Sequence, residues 1–317
     1  MSTTTAHAPG KLFLTGEWAV LDGAPALVAA IDRRARVSIM PADGLVDVES
    51  LAEGRSFTAG TDAPLPGGDA GAVLAAWRAA GRTGGARVTV DSRAFLAADR
   101  KLGLGRSAAT LAAATAALLP AAPREQVLAT ALAANALFQE GRGSGGDVAA
   151  AVYGGVVEVR REGEGLLVER RTLPAELTLL VGWTGEPAPT TPLLDRFATA
   201  ARPPVLRDLA GVATRAARAC TAGDAGAFLA AVEPSAALLA ALGDATGLPL
   251  VTPALARLVA AARRAGVAAK PSGAGAGDCG IAFATTAAQA AAVRAAWQAS
   301  GITPLDLRIT TEGAARA

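Results

Sequence analysis

The succession of strand-like and helix-like segments predicts an α+β protein, with helices packed on mostly antiparallel sheets. Three observations carry this. Short apolar runs separated by turn residues crowd the first hundred positions. Two alanine-rich stretches, 107–119 and 122–139, then read as helices set apart by Pro120 and a start signal at Pro123. After Pro174 a second succession begins on a buried strand and ends on strands.

In order, 11–15 and 26–31 read as strands around a polar turn at Asp22-Gly23. Residues 35–40 and 45–50 make another pair, broken by Pro41 to Gly44. Residues 53–70 read as loop, 69–80 as a helix and 86–91 as a strand. Residues 152–161 and 166–172 form a hairpin around Glu162 to Gly165. Pro174 marks a boundary, giving an expected division into 1–173 and 174–317. Beyond it come a strand at 177–182, helical stretches at 192–221, 224–242 and 253–265, a strand at 281–285, a helix at 286–299 and a terminal strand at 303–311.

Composition narrows the function. The 317 residues suffice for two ordinary domains, and 51% apolar against 18% charged is a globular balance. A net charge of +2 provides no bulk attraction to nucleic acid or membrane. No signal peptide or membrane span is read. Two distant cysteines, Cys220 and Cys279, point to a reducing cytoplasm. A single histidine, His7, excludes a triad built elsewhere and leaves no zinc set. Of 30 basic residues only Lys11, Lys101 and Lys270 are lysines, and each lies beside or inside a glycine motif. Codon bias explains the arginines but not where the lysines remain. A compact ammonium and a planar guanidinium are not interchangeable at a crowded phosphate site.

The first glycine motif, Lys101 to Ala109, reads KLGLGRSAA and leads into an apolar helix. Glycines permit close backbone approach, and the helix N-terminus offers unpaired N–H groups to an anion. The spacing is not that of a Walker A loop; an ordinary glycine-capped loop is the plain alternative. The second, from Gly141, reads GRGSGGDVAA and pairs Ser144 with Asp147 at a helix start, which also fits simple capping. The third, Lys270 to Gly280, reads KPSGAGAGDCG. Its GxGxxG spacing precedes a strand instead of following one, so a dinucleotide site is rejected.

Ala8 to Leu21 (APGKLFLTGEWAVL) resembles the first motif of the GHMP kinases, Gly103 to Ala109 their second, and Lys270 to Gly280 their third. Gly143 to Gly155, Val181 to Gly185 and the third motif are similar to the form in members acting on phosphomevalonate. The resemblance implies two lobes, an N-terminal ATP-binding lobe and a C-terminal ferredoxin-like lobe, with substrate between them. It implies ATP and Mg²⁺, and transfer of the γ-phosphoryl to 5-phosphomevalonate in the cytoplasm by a monomer or homodimer, with no nucleic-acid or membrane partner. A sister kinase with a hydroxyl acceptor, such as mevalonate, and a silent metabolite-binding protein are the alternatives. Where the family loop usually has serine, this chain has Arg106, which either adds a phosphate contact or obstructs a metal position; its replacement by serine is expected to be tolerated.

From the resemblance, Lys11, Lys101 and Asp147 are the expected catalytic residues. Gly103, Leu104, Gly105, Arg106, Ser107 and Ala108 would hold the nucleotide. Lys11, Lys101, Arg142, Ser144, Thr190, Thr191, Ser272 and Gly275 would hold substrate, and Ser107 with Asp147 the metal. The acceptor phosphate has a second pKa of about 6 and needs scarcely any general base. Positioning and charge screening then supply most of the catalysis.

Overall fold

β1 (Thr4–Thr15) and β2 (Ala26–Ala42) open the computed structural model, which describes residues 2–163, 165–188 and 190–317, leaving aside the side chain of Thr190. They pair antiparallel, with register breaks at Pro9/Gly10 and Phe13/Thr15. The strands expected at 26–31 and 35–40 are one continuous strand, because both ends of β2 find partners. Then follow β3 (Val46–Ser50), β4 (Arg55–Ala59), α1 (Gly68–Ala79), β5 (Gly85–Asp91), β6 (Leu96–Ala97), β7 (Arg100–Lys101), α2 (Arg106–Leu118), α3 (Arg124–Phe138), α4 (Gly146–Tyr153), β8 (Val156–Glu162) and β9 (Gly165–Arg171).

The second part comprises β10 (Thr178–Trp183), α5 (Thr190–Thr199), α6 (Val205–Ala222), α7 (Ala225–Val232), α8 (Ser235–Thr246), α9 (Pro253–Arg264), β11 (Ala269–Pro271), β12 (Cys279–Ala284), α10 (Ala287–Ala299), β13 (Thr303–Leu305) and β14 (Ala315–Arg316). The helix expected over 192–221 is two, parted at Pro203-Pro204, since proline removes a helix donor and clashes with the preceding turn. Pro234 divides 224–242 in the same way. The stretch Ala225–Thr246 is apolar enough to cross a membrane by length and composition. Here it forms α7 and α8, whose Phe228, Val232, Leu239 and Leu242 are buried in the core.

The N-terminal sheet runs β14-β1-β2-β5-β3-β4, with β8 on the free part of β2 and β9 beyond it. All its pairings are antiparallel except β3 with β5. The alanine-rich helices α1 to α4 cover one face, where small side chains let helix backbones approach and Val73, Leu74 and Leu111 lie fully buried. Truncating Leu111 to alanine would cost about 2–5 kcal/mol. The second sheet, β11-β12-β10-β13, is wholly antiparallel, with α9 and α10 on one face. That strand order, with a helix returning between β12 and β13, is ferredoxin-like. A third apolar cluster joins the lobes, from Leu12, Leu14 and Leu104 to Val181, Ile281 and Phe283.

Two expectations need correcting. Residues 55–59, read as loop, form β4, a half-exposed edge strand whose polar residues hid its alternation. The terminal strand expected over 303–311 stops at Leu305, and the chain then crosses to the first lobe. Ile309 bridges Ile31, Thr310 N–H donates to Ala30 (3.0 Å), and β14 pairs with β1. The segment from about Arg308 onward is therefore part of the N-terminal sheet, so a single cut at 174 does not separate the two sheets.

Candidate active site

α2 starts at Arg106, directly after Gly105 in the left-handed region (φ 80°). No side chain caps this end, so the N–H groups of Arg106, Ser107 and Ala108 have no partner within the helix. Gly103 is also left-handed (φ 75°), and a Cβ there would stand 2.3 Å from the Asp278 side chain. Only glycine admits this approach of the third motif to the loop. Leu104 is buried, and its carbonyl accepts the Lys11 N–H at 2.8 Å. The loop is thereby tied to β1, and the Lys11 stem runs past Gly105: a Cβ on that glycine would lie 2.8 Å from Lys11 Cγ.

Lys11 Nζ lies 5.7 Å from the Phe13 ring centroid. Lys101 is exposed on β7. Among the described residues neither has a carboxylate within ion-pairing distance. Their charges meet at Asp278, whose carboxyl is raised above its ordinary value by burial, against the pull of the Ala188 N–H (3.2 Å), Lys11 and Lys101. Asp278 has positive φ (54°) and is held by its backbone, its N–H donating to Glu186 (2.6 Å) and its carbonyl accepting from Thr184.

The third lysine is placed differently. Lys270 is 2% exposed and ion-pairs with Glu17, 4% exposed, while also donating to the Pro271 carbonyl at 2.7 Å. This pair links the first motif to the third. Ser272 Oγ donates to the Phe13 carbonyl at 2.8 Å, a second link between the same two segments. Gly275 packs on the Leu250 carbonyl, where a Cβ would come within 2.3 Å.

α4 also starts after a left-handed glycine, Gly145 (φ 76°). Ser144 Oγ accepts from the Gly146 N–H (3.3 Å) and Asp147 Oδ1 from the Val148 N–H (2.9 Å). Both side chains thus make local capping contacts and also line the cleft. That cleft, about 150 Å³, lies between the lobes and is walled by Lys11, Gly103, Ser144 and Asp147 on one side and Ser272, Gly275 and Asp278 on the other.

Other expected residues fall elsewhere. The Arg106 guanidinium ion-pairs with Glu53 and lies 3.7 Å from Asp69, so its charge is committed to two carboxylates and not offered to a phosphate. Replacement by serine would strand both acids, so the tolerance expected from the loop alone does not follow. Arg142 pairs with Glu140 and Asp195 and is not among the cleft-lining residues. Thr191 is exposed in the first turn of α5. The expectation for Thr190 lies outside the described side chains. The sequence gives no role to Glu17 or Trp18, which stand in the first motif and line the cleft, or to Glu53 and Asp69, which hold Arg106. Trp18, a bulky residue at φ 66°, is tilted against Phe197 at 4.7 Å.

Lys101, Gly105, Arg106, Ser107 and Ala108 are not among the cleft-lining residues; the cleft itself offers an anion the Lys11 ammonium, which has no ion pair among the described residues, and the Gly103 backbone leading to the uncapped start of α2. Comparison with known proteins agrees. Residues 70–155 match the profile of the GHMP kinases N terminal domain, and residues 216–303 that of GHMP kinases C terminal. The chain is 34% identical to the phosphomevalonate kinase of Streptomyces sp. (strain CL190), over 98% of each. It is also 34% identical to the mevalonate kinase of Aeropyrum pernix, over 87% of each. Among solved structures, Streptococcus pneumoniae phosphomevalonate kinase with phosphomevalonate and AMPPNP superposes with a TM-score of 0.83 at 22% identity, covering 97% of this chain and 99% of that one. The Lin0012 protein from Listeria innocua gives 0.86 at 22% identity, covering 100% and 99%. At such identity these two structures speak for the fold.

Proposed function

The chain belongs to the GHMP kinase family, and from that premise we propose that it is a phosphomevalonate kinase, moving the γ-phosphoryl of ATP onto the phosphate of 5-phosphomevalonate. The observation that carries this reading is Lys11, which runs past Gly105 before the uncapped start of α2, with Lys101 near enough to act on the same Asp278; among the described residues neither lysine has a carboxylate within ion-pairing distance. Two polyanions must be brought together, and such a site screens both. The full-length likeness to the Streptomyces enzyme supports the choice of acceptor.

In the reaction an acceptor phosphate oxygen attacks the γ-phosphorus. The bond from that phosphorus to the bridging oxygen breaks, and its electron pair leaves on ADP. The N–H groups of residues 106–108 receive the nucleotide phosphates, with Gly103 and Gly105 allowing the close approach. Lys11 neutralises charge on the transferred group, and Lys101 bridges donor and acceptor. The acceptor is mostly a dianion at pH 7, so no side chain need remove a proton. Asp147 acts through its charge, orienting cations. Ser144, Ser272 and the Gly275 backbone hold the acceptor from the two sides of the cleft.

The donor set fits Mg²⁺ sparingly: Asp147 is a hard oxygen ligand on the cleft wall, and the Ser107 hydroxyl stands in the first turn of α2. Among the described residues no cluster of three metal-binding side chains exists, so the ion would take its remaining ligands from phosphates and water. Bound there, it would withdraw charge from the phosphate oxygens. Two free buried cysteines support a cytoplasmic location, and a monomer or homodimer is the expected state.

A hydroxyl acceptor is the second reading, favoured by Asp147, which could take a hydroxyl proton. A coupled ADP-release assay on phosphomevalonate, mevalonate and homoserine decides. Turnover of phosphomevalonate at a kcat/KM well above the others is expected; preference for mevalonate would overturn the assignment.

A further inference from the structure

Arg106 is the first residue of α2, and its side chain is 12% exposed. A cation at that end of a helix is disfavoured by the helix dipole. Here the guanidinium ion-pairs with Glu53, in the turn between β3 and β4 and likewise 12% exposed, and its Nε lies 3.7 Å from Asp69 Oδ1. Asp69 sits in the first turn of α1 with no exposure. Its carboxylate accepts hydroxyl hydrogen bonds from Ser50 (2.7 Å), Ser92 (2.7 Å) and Thr110 (3.1 Å). Glu53 Oε1 accepts the Asp69 N–H at 3.2 Å, and Arg55 pairs with Glu53 from the exposed side.

Three hydroxyls solvate the Asp69 charge without cancelling it. Among the described residues Arg106 is the cation within reach of that buried acid. One guanidinium therefore ties the start of α2 to the turn after β3 and to the start of α1, and Thr110, one helical turn on, makes a further tie. Just before Arg106 the chain has Gly103 and Gly105, which contribute no side-chain restraint. The loop is fixed instead at Leu104, through the Lys11 N–H, and at Arg106.

We propose that Arg106 is a positioning residue of the nucleotide site, holding the first turn of α2 through Glu53 and Asp69 so that the N–H groups of residues 106–108 face the nucleotide phosphates. The guanidinium acts through the loop and does not touch the phosphates. The inference rests on the nucleotide-binding reading above, and its test is nucleotide affinity, which does not depend on the acceptor.

The experiment measures ADP and ATP affinity by calorimetry without acceptor, with KM, kcat and thermal midpoint, for the parent, Glu53→Gln, Arg106→Gln, Arg106→Lys and the Glu53→Gln/Arg106→Gln double variant. Glu53→Gln and Arg106→Gln are each expected to weaken nucleotide binding about tenfold, or about 1.4 kcal/mol. The double variant should be no weaker than the worse single one, because both break the same tie. Arg106→Lys should return to within about threefold, and the acceptor KM should hardly move. Parental affinity in Glu53→Gln beside weakened binding in Arg106→Gln would mean direct phosphate contact and overturn the proposal. Lower thermal midpoints with unchanged affinities would reduce the cluster to scaffold, also overturning it. If Arg106→Gln does not fold, Glu53→Gln and Arg106→Lys still decide. Failure of the parent to bind ADP would instead defeat the kinase reading itself.

Discussion

Lys11, on the cleft wall, and Lys101, within electrostatic reach of Asp278, have no carboxylate within ion-pairing distance among the described residues. Lys270 and Arg106, in the third and first glycine motifs, are instead buried against Glu17 and against Glu53 with Asp69. The two groups do opposite work. A paired, desolvated cation has its field cancelled and its position fixed, so it serves as a fastener. An unpaired one keeps its field and its hydrogen-bond donors for a passing anion. Proximity to a glycine motif, the feature the lysines share in sequence, does not separate the two.

The contrast breaks most sharply at the lysines. Lys11→Met should lower kcat/KM by on the order of 10³-fold, and Lys101→Met by on the order of 10²-fold, with urea midpoints unchanged in both. Either variant staying within about threefold of the parent would remove that lysine from the chemistry. Lys270→Met should do the reverse first: stability falls by about 3–5 kcal/mol, because Glu17 is left buried and unpaired. Adding Glu17→Gln should recover much of that loss in urea unfolding. No recovery would mean that the pair is not the fastener.

Smaller effects sharpen the picture. Asp147→Asn should reduce kcat/KM by about tenfold while leaving its acidic limb near pH 6 in place, since that limb belongs to the acceptor phosphate. Loss of the limb would identify Asp147 as a titrating base. Asp278 tests the field itself. Its folded carboxyl is raised, burial outweighing Lys11 and Lys101, so its contribution to stability is present at low pH and is lost as pH rises through the folded value. Asp278→Asn keeps the shape and lacks that loss. The thermal midpoint of the variant minus that of the parent should grow from pH 4 to pH 7; a pH-independent difference would count against a strained carboxylate here.

What was legible in sequence was whatever depends on local chain chemistry. Glycines before an apolar run located the starts of α2 and α4, and apolar runs located most strands. β4 stayed hidden because an exposed edge strand such as Arg55–Ala59 needs little apolar alternation. The stretches 192–221 and 224–242 are each two helices, because Pro203-Pro204 and Pro234 interrupt the backbone ladder inside an otherwise helical composition. Of the residues expected in the site, Lys11, Gly103, Ser144, Asp147, Ser272 and Gly275 line one cleft, while Lys101, Leu104, Gly105, Arg106, Ser107, Ala108, Arg142 and Thr191 are not among its lining residues. The surroundings of Arg106 were not readable. Glu53 is 53 positions away, in a stretch that reads as loop, and nothing in either neighbourhood announces the other.

The return of the C-terminal segment bears on how the enzyme is made. β1, the strand that carries Lys11, has β14 as its outer neighbour, and Arg34 on β2 donates to Gly313, 279 positions further along. On a ribosome adding about 5–20 residues per second, the first sheet waits tens of seconds for that neighbour. Until then the outer edge of β1 is an open row of backbone donors and acceptors, able to pair with another nascent chain. Because the segment arrives only after the ferredoxin-like lobe has been translated, the strand that carries Lys11 acquires its last neighbour only once both lobes have emerged.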